Sequence, residues 1–351
     1  NDQPSISTVY AYENGLIDAL MYQDEVESLL AAKIGQEDTD KLKRYAVDYD
    51  DYLTVAKTSS SSKNTIAVLF AEGQILPAPS DLFGGGESVI TGKATIKEIR
   101  KLKEDDNVKA VVFFVDSPGG AATTSDIIWR ELKLLNEVKP LYTYMGSVAA
   151  SGGYYIAMGS RKVIAHPQTI TGSIGVFGQF FNAKEMLNEK LGVYVDEVKS
   201  HEHADWLNLT RPLTKEEEAS FQFYVDETYK TFLQRVADNR GQSTEFIHEL
   251  AQGRVWSGAD AMEIGLVDEL GSLDDAIQMI AEEAGIDDYK LEYLPEPKDL
   301  ATQILERGNA QIRGLLSLSN PMEMALNSWK EELERRNGQI MMRMPMELEI
   351  K

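Results

Sequence analysis

The run Ala110–Val115 contains only apolar residues and is followed, after a short glycine-containing turn, by a helical pattern. A strand that is apolar on both faces is typical of a parallel sheet with helices packed on both sides. Shorter apolar runs at Ile66–Phe70, Leu141–Met145 and Val163–Ala165 also read as buried strands. Helical periodicity separates several of these strands, and such alternation predicts βαβ units and an α/β fold with a mostly parallel sheet.

Composition excludes several classes of function. The 351 residues include 35 basic and 57 acidic side chains, which gives a formal net charge of −22. A surface this acidic repels phosphate backbones, so we expect no nucleic-acid partner. Cysteine is absent, which excludes disulfides, thiolate catalysis and cysteine-bound metal. The sequence contains neither a phosphate-binding loop nor GxGxxG, and we predict no cofactor and no metal. No apolar run approaches the roughly 20 residues that span a bilayer.

An internal repeat organises the chain. Residues 13–35 align without a gap on residues 263–285, with identity at 8 of 23 positions, including Gly15, Leu16 and Asp18. The later copy closes a long α/β stretch, whereas almost nothing precedes the earlier one. We therefore expect residues 1–35 to be the helical tail of a preceding repeat whose body is missing. The rest of the chain is predicted to comprise a polar linker over 36–63, an α/β domain over 64–290, and a helical C-terminal extension over 291–351.

Two glycine-rich turns each follow an apolar strand and precede a helix: Asp116–Gly120 and Ala149–Tyr155. Ligands of open parallel sheets bind beyond the carboxyl ends of the strands, where both turns are expected. A serine at the start of a helix lies in a positive field that favours a developing anion. The turns therefore predict one site, with Ser151 as nucleophile and the N–H groups of Gly152 and Gly119 as the oxyanion hole.

A serine nucleophile needs a base, and spacing alone does not identify one. The histidines are His166, His201, His203 and His248. None has the spacing of a triad, and the His-x-His pair is more typical of a solvated loop than of a metal site. Three interpretations remain open at this point: a hydrolase with a separately supplied base, a hydrolase that uses one of its own histidines, and a non-catalytic scaffold on the same fold.

The order of five motifs makes the pattern specific. They are Asp116–Gly120, Met145–Tyr155, Thr171–Val176, Gly253–Gly258 and Gly265–Asp268. Together they resemble the signal peptide peptidase A (protease IV) family over about residues 1–290. The resemblance implies that residues 64–290 form a ClpP/crotonase-like serine peptidase domain, and it implies a Ser–Lys dyad. It also implies that Ser151 is the nucleophile, that Gly152 and Gly119 donate to the oxyanion, and that Ser173 hydrogen-bonds the lysine base.

The lysine motif is where the sequence departs from the family. Short members carry the catalytic lysine in a loop that corresponds here to Lys199–Asp205, and Ala204 occupies the lysine position. Lys199 and Lys184 are near this loop but do not match that position. In long members the first repeat supplies the lysine and the second the serine. We therefore expect the C-terminal portion of a two-repeat enzyme, which alone is weakly active or inactive.

The resemblance implies further properties of the whole protein. It would be a serine endopeptidase that degrades cleaved signal peptides and other unfolded or membrane-associated peptides. It would assemble as a homo-oligomer, a tetramer in the full-length protein, anchored by an N-terminal helix at the periplasmic or extracytoplasmic face of the inner membrane. The Met-rich end, Met341–Met346, carries no functional prediction beyond packing.

Overall fold

The computed structural model describes residues 8–36, 62–78, 89–201, 204–295 and 340–343. The chain divides into two units, Asn1–Ser60 and Ser61–Lys351. In the first unit, helix α1 spans Thr8–Glu13 and helix α2 spans Gln23–Lys33. The predicted helical tail thus contains two separate helices, and nearly all of the predicted linker lies outside the described residues. Within the described ranges no helix has both the length and the apolar character to cross a membrane.

The second unit is an α/β structure. Its strands are β1 Thr65–Glu72, β2 Gln74–Leu76, β3 Val89–Thr91, β4 Val108–Ser117, β5 Gly119–Ala121, β6 Leu141–Ala150, β7 Lys162–Ala165, β8 Ile170–Gly172, β9 Phe177–Gly178, β10 Val255–Ser257, β11 Glu269–Leu270, β12 Lys290–Leu294 and β13 Ile340–Arg343. Its α-helices are α3 Gly92–Glu104, α4 Ala122–Asn136, α5 Gly152–Ala157, α6 Lys215–Arg240, α7 Thr244–Leu250, α8 Gly258–Glu263 and α9 Leu273–Ala284, with a π-helical turn at Met186–Lys190.

The larger sheet has eight strands in the order β10-β8-β6-β4-β1-β12, and β7 pairs with both β6 and β11. Every pair except β10–β8 is parallel. The central strand β4 contains the run Ala110–Val115, in which Val111 and Phe113 belong to one apolar cluster while Ala110 and Val112 belong to the other. Both faces of the sheet are therefore buried, and the predicted α/β class with a mostly parallel sheet is confirmed.

The smaller sheet places a distant segment beside the glycine-rich turns. Its strand order is β3-β2-β5-β13-β9, so β13 lies between β5 and β9 and runs antiparallel to both. The sequence assigns 291–351 to a helical extension. The parts of that extension that the structure describes are strands, Lys290–Leu294 and Ile340–Arg343, and the rest lies outside the described residues. The hydrogen-bond partners of these strands are far away in sequence, so local periodicity does not reveal them.

Candidate active site

The two glycine-rich turns lie against each other at the carboxyl ends of β4 and β6. Asp116 accepts a hydrogen bond from the Val148 N–H at 3.0 Å. A Cβ atom built on Gly153 would lie 2.6 Å from the carbonyl oxygen of Ser117. This approach is possible only because Gly153 has no side chain. The strand register thus joins the turns into a single site.

Ser151 is held in a strained conformation between β6 and α5. Its backbone angles are φ 53° and ψ −114°, a region that side chains with a Cβ rarely adopt. The Ser151 N–H donates to the Gly172 carbonyl at 2.9 Å, and its carbonyl accepts from the Tyr155 N–H at 2.8 Å. The side chain is buried, and its hydroxyl points to the Gly175 carbonyl at 3.4 Å. Strain of this kind persists where the surrounding structure over-determines it, and it is concentrated at functional sites.

The glycines assigned to the oxyanion hole are packed around one carbonyl oxygen of the tail. A Cβ on Gly119 would lie 2.0 Å from the Met342 oxygen and 2.7 Å from the Gly152 nitrogen. A Cβ on Gly152 would lie 2.9 Å from the same Met342 oxygen. The Gly119 N–H also donates to Ser117 Oγ at 3.1 Å, so it must share or leave that bond to reach an oxyanion. Met342 is not among the site residues predicted from the sequence, although consecutive glycines in a strand indicate close backbone approach.

Ser173 is the second strained serine. Its φ is 45°, it is buried, and its N–H donates to the Arg254 carbonyl at 2.7 Å. Ser173 lines a cleft of about 390 Å³ together with Gly175, the residue that the Ser151 hydroxyl contacts. Asp226 adds a carboxylate to this cleft. Gly175 therefore both lines the cleft beside Ser173 and contacts the Ser151 hydroxyl.

Each described histidine has partners other than Ser151. His166 Nδ1 accepts from the Gln168 N–H at 3.3 Å, and His201 Nδ1 lies 3.1 Å from Ser200 Oγ. His248 Nδ1 lies 2.9 Å from the Tyr229 hydroxyl. His203 lies outside the described residues. In the described part of the chain, no histidine or lysine side chain hydrogen-bonds the Ser151 hydroxyl.

Two lysines that are candidates for the base, Lys199 and Lys139, interact with groups other than Ser151. Lys199 Nζ pairs with Asp205 at 2.6 Å, and Ala204 is exposed on the same loop. Burial lowers the pKa of Lys139, as a buried base requires, but its ammonium donates to the Leu102 carbonyl at 2.7 Å. Lys139 also precedes β6, at the end opposite Ser151. Within the described residues, the Ser151 hydroxyl thus has no histidine or lysine side chain beside it to act as a base.

Two buried tyrosines fix helix α5 behind Ser151. The Tyr154 hydroxyl donates to the Leu266 carbonyl at 2.7 Å, and the Tyr155 hydroxyl donates to Asp126 at 2.5 Å. Burial raises the pKa of both hydroxyls well above the usual range of tyrosine. They therefore stay protonated near neutral pH and act as hydrogen-bond donors that position α5, rather than as bases.

These features define a class: an α/β protein with a serine at a strained strand-to-helix turn, lined by glycines. The model of Peptidase family S49 matches residues 133–287. A putative protease of Synechocystis sp. is 38% identical over 225 residues, covering 64% of this chain and 80% of that protein. The chain belongs to peptidase family S49.

Other comparisons give the extent of the match. Protease 4 of Salmonella typhi is 36% identical over 330 residues, which is 92% of this chain and 52% of that protein. The chain spans about half the length of the Protease 4 relatives that it matches. Among solved structures, a mutant ClpP1 from Listeria monocytogenes aligns with 60% of this chain and 94% of its own, with a TM-score of 0.39 and 17% identity.

Proposed function

We propose that this chain is the serine-bearing half of a serine endopeptidase with a Ser–Lys dyad. Ser151 is the nucleophile, Ser173 positions the base, and Gly152 and Gly119 donate to the oxyanion. The observation that carries the proposal is the buried, strained Ser151, whose hydroxyl faces Gly175 at 3.4 Å and the neighbouring cleft. Membership of peptidase family S49 supports the same assignment.

We propose that the lysine comes from a preceding repeat and reaches Ser151 through the cleft beside Ser173. Lys199 is paired with Asp205, which supports a base from outside this loop. A lysine entering the cleft finds the Asp226 carboxylate and the Ser173 hydroxyl. For that lysine to act as a general base, desolvation in the cleft must lower its pKa by more than the Asp226 carboxylate raises it.

The repeated segments support a preceding domain of the same architecture. The Tyr22 N–H donates to Glu25 Oε2 at 2.7 Å at the start of α2, as the Ser272 N–H donates to Asp275 Oδ2 at 2.7 Å at the start of α9. The glycines that follow the two helices, at the aligned positions 35 and 285, have φ values of 71° and 66°. This shared start and end geometry supports the proposal that the two segments are equivalent parts of one repeated unit.

Burial differs sharply between the two copies. Leu266 and Ile280 are fully buried in the second copy, whereas the aligned Leu16 and Leu30 are 61% and 47% exposed. An apolar set that is core in one repeat and exposed in the other needs a partner surface. A preceding repeat of the same fold supplies that surface.

The substrates we propose are cleaved signal peptides and other unfolded or membrane-associated peptides, and we propose a homo-oligomer, a tetramer, at the extracytoplasmic face of a membrane. The family resemblance supports these assignments. The assignment of Ser151 is tested by expressing the chain alone and joined to the preceding repeat, each as wild type, Ser151→Ala and Ser173→Ala.

Peptide hydrolysis is followed from about pH 6 to about pH 10, with a fluorophosphonate probe as a second readout. We expect activity only with the preceding repeat, no activity or labelling in Ser151→Ala, and a lower kcat with retained labelling in Ser173→Ala. Loss of general-base assistance typically costs about 10²–10⁴-fold. Robust hydrolysis by the isolated chain that disappears in His201→Ala or Lys199→Ala would instead place the base on this chain.

A further inference from the structure

Two segments with left-handed backbone lie side by side at the cleft that Ser173 lines. Ser173 has a φ of 45°, and Gln252 has a φ of 61°. The Ser173 N–H donates to the Arg254 carbonyl at 2.7 Å, and the Gly253 N–H donates to the Ile174 carbonyl at 3.0 Å. Serine and glutamine do not favour positive φ by themselves, so these bonds between the segments support both conformations.

The segment that contains Gln252 also approaches the group that the Ser151 hydroxyl contacts. We call residues 251–254 the Gln252 loop. A Cβ atom built on Gly175 would lie 2.9 Å from the Cα of Gly253, so the two backbones approach as closely as glycine allows. The Gly175 carbonyl is the acceptor that faces the Ser151 hydroxyl at 3.4 Å. The Gln252 loop therefore adjoins both Ser173 and Gly175.

Tyr229 on helix α6 anchors the Gln252 loop. Its hydroxyl oxygen accepts the Gln252 N–H at 3.3 Å and lies 2.9 Å from Nδ1 of His248, on helix α7. The Tyr229 and His248 rings meet edge to face, with their centroids 5.8 Å apart. Tyr229 is half-buried and packs against the apolar core, which fixes the position of its ring. One hydroxyl thus joins two helices to the loop beside Ser173.

The directions of the hydrogen bonds at His248 follow from its neighbours. Arg254 donates to Oε1 of Gln252 at 3.2 Å, and this orients the Gln252 amide nitrogen toward Nε2 of His248, also at 3.2 Å. An amide nitrogen only donates, so in the neutral ring Nε2 accepts and the hydrogen is on Nδ1. The Tyr229 oxygen then accepts two hydrogen bonds, one from His248 and one from the Gln252 backbone.

We infer that Tyr229, held by His248, is a positioning residue for the Ser151 site and acts through the Gln252 loop. This role rests on the proposed function, in which Ser173 positions the base. The Tyr229 oxygen holds the Gln252 N–H, and the loop holds the backbone of Ser173. The Ser173 hydroxyl is thereby placed for the incoming lysine, and a displacement of about 1 Å in such a group can lower turnover about a hundredfold.

Amide hydrogen exchange in the 351-residue chain tests the loop contact without requiring catalysis. In Tyr229→Phe the Gln252 N–H loses its acceptor, so the amides of Ser173 and Gly253 should exchange about tenfold faster than in wild type, as measured by NMR. The Tyr155 amide in helix α5 should exchange as in wild type. Unchanged exchange at Ser173, or equal acceleration at Tyr155, would overturn the inference.

Two further comparisons control this measurement. Tyr224→Phe is the matched control, because Tyr224 is on the same helix and is 53% exposed, and its exchange rates should equal those of wild type. At position 248, asparagine offers an amide group near the place of Nδ1, whereas leucine cannot form a hydrogen bond. His248→Leu should accelerate exchange at Ser173 about fivefold and His248→Asn less than about twofold. Equal acceleration in the two His248 variants would overturn the inference.

Kinetics in the presence of the preceding repeat tests the positioning role. Tyr229→Phe should lower kcat about tenfold and change KM by less than about threefold, because the base is displaced while the nucleophile stays in place. Tyr229→Phe and Ser173→Ala affect the same step, so the double variant should be no slower than the slower single variant. Effects that multiply, or a wild-type kcat in Tyr229→Phe, would overturn the inference.

The two assays separate this inference from the proposed function. A wild-type kcat in Ser173→Ala, together with faster Ser173 exchange in Tyr229→Phe, would show that the proposed role of Ser173 is wrong while the loop contact is real. A lower kcat in Ser173→Ala, together with unchanged exchange in Tyr229→Phe, would overturn the role of Tyr229 alone.

Discussion

The Nζ atom of Lys199 lies 2.6 Å from Oδ2 of Asp205, and Arg211 donates to the same carboxylate. Hydrogen bonds from Arg211 and Lys199 hold the pKa of the Asp205 carboxyl well below its usual range. The loop Lys199–Asp205, which the family resemblance matches to the base-carrying loop of short members, thus contains an ion-pair cluster. Lys199 is a component of that cluster, and its ammonium group is paired with carboxylates.

Lys199→Ala is therefore expected to leave peptidase activity nearly intact when the preceding repeat is present. The kcat/KM for a peptide substrate should change by less than about threefold, since the general base, worth about 10²–10⁴-fold, lies elsewhere. Lys230→Ala is the control, because Lys230 likewise forms a close ion pair with a carboxylate, Glu227, at 2.7 Å. A fall of a hundredfold in Lys199→Ala alone would assign the base to Lys199.

Backbone strain at Ser151 predicts an unusual order of stabilities. Replacing Ser151 by alanine keeps the positive φ of 53°, whereas replacing it by glycine relieves the strain. Such strain costs about 1–3 kcal/mol, and the extra entropy of glycine in the unfolded chain offsets about 0.5–1 kcal/mol of the gain. The free energy of unfolding of Ser151→Gly, measured by urea denaturation, should therefore be about 1 kcal/mol higher than that of Ser151→Ala.

Ser147 is the control for this comparison, because it is exposed on the same strand, β6, and its φ is not positive. There the order should reverse, with Ser147→Gly less stable than Ser147→Ala by about 0.5–1 kcal/mol. If Ser151→Gly were also less stable than Ser151→Ala, the conformation of Ser151 would store no strain.

The architecture was predictable where the signal is local. The predicted strand Ala110–Val115 lies inside β4, and the predicted strand Leu141–Met145 lies inside β6. An apolar run or an amphipathic repeat predicts its secondary structure from local sequence alone, because one or both faces of the strand or helix must be buried. The two glycine-rich turns were also recognisable, since glycine permits close backbone approach.

The rest depends on contacts between residues far apart in sequence. Strand β13 exists because its backbone pairs with Gly119–Ala121 and Phe177–Gly178, and no local pattern in the Met-rich end encodes that pairing. The positive φ values of Ser151 and Ser173 are likewise imposed by tertiary structure, because serine by itself does not favour them. The sequence thus identified candidate residues but not the strand that lies beside them.

The aligned residues Leu30 and Ile280 provide a stability test of the preceding repeat. Ile280→Ala should lower the free energy of unfolding by about 2–4 kcal/mol, because Ile280 is fully buried. In the isolated chain Leu30→Ala should cost less than about 0.5 kcal/mol, because Leu30 is 47% exposed.

When the preceding repeat is present, Leu30→Ala should cost about 2 kcal/mol or more, since its side chain is then covered. Thermal unfolding of the four proteins, each variant with and without that repeat, measures the difference. Leu30→Ala that remains neutral in the longer protein would contradict the proposed packing of residues 13–35 against a domain of the same fold.

Glu217 predicts a defined pH dependence of stability. Its carboxylate is 2% exposed, accepts two hydrogen bonds of 2.7 Å from Arg211, and accepts the Thr214 N–H at 2.8 Å. The bonds from Arg211 and then that from the Thr214 N–H lower the pKa of Glu217 to about 2. An unfolded glutamate has a pKa of about 4.3, so the folded state holds this proton less tightly and gains stability when the carboxyl is ionised.

The contribution of Glu217 should therefore be complete above about pH 5 and disappear as the pH falls toward about 2. Near neutral pH, Glu217→Gln should lower the free energy of unfolding by about 2–3 kcal/mol, because Arg211 keeps its charge and loses its carboxylate partner. Urea denaturation at several pH values should show the difference in free energy of unfolding between wild type and Glu217→Gln closing steadily between about pH 5 and pH 2.

Glu218→Gln, which changes an exposed neighbour in the same helical turn, is the control. Its free energy of unfolding should differ from that of wild type by a small and nearly pH-independent amount. A Glu217→Gln gap that stayed constant or widened on acidification would mean that the Arg211 pair does not stabilise the ionised carboxylate.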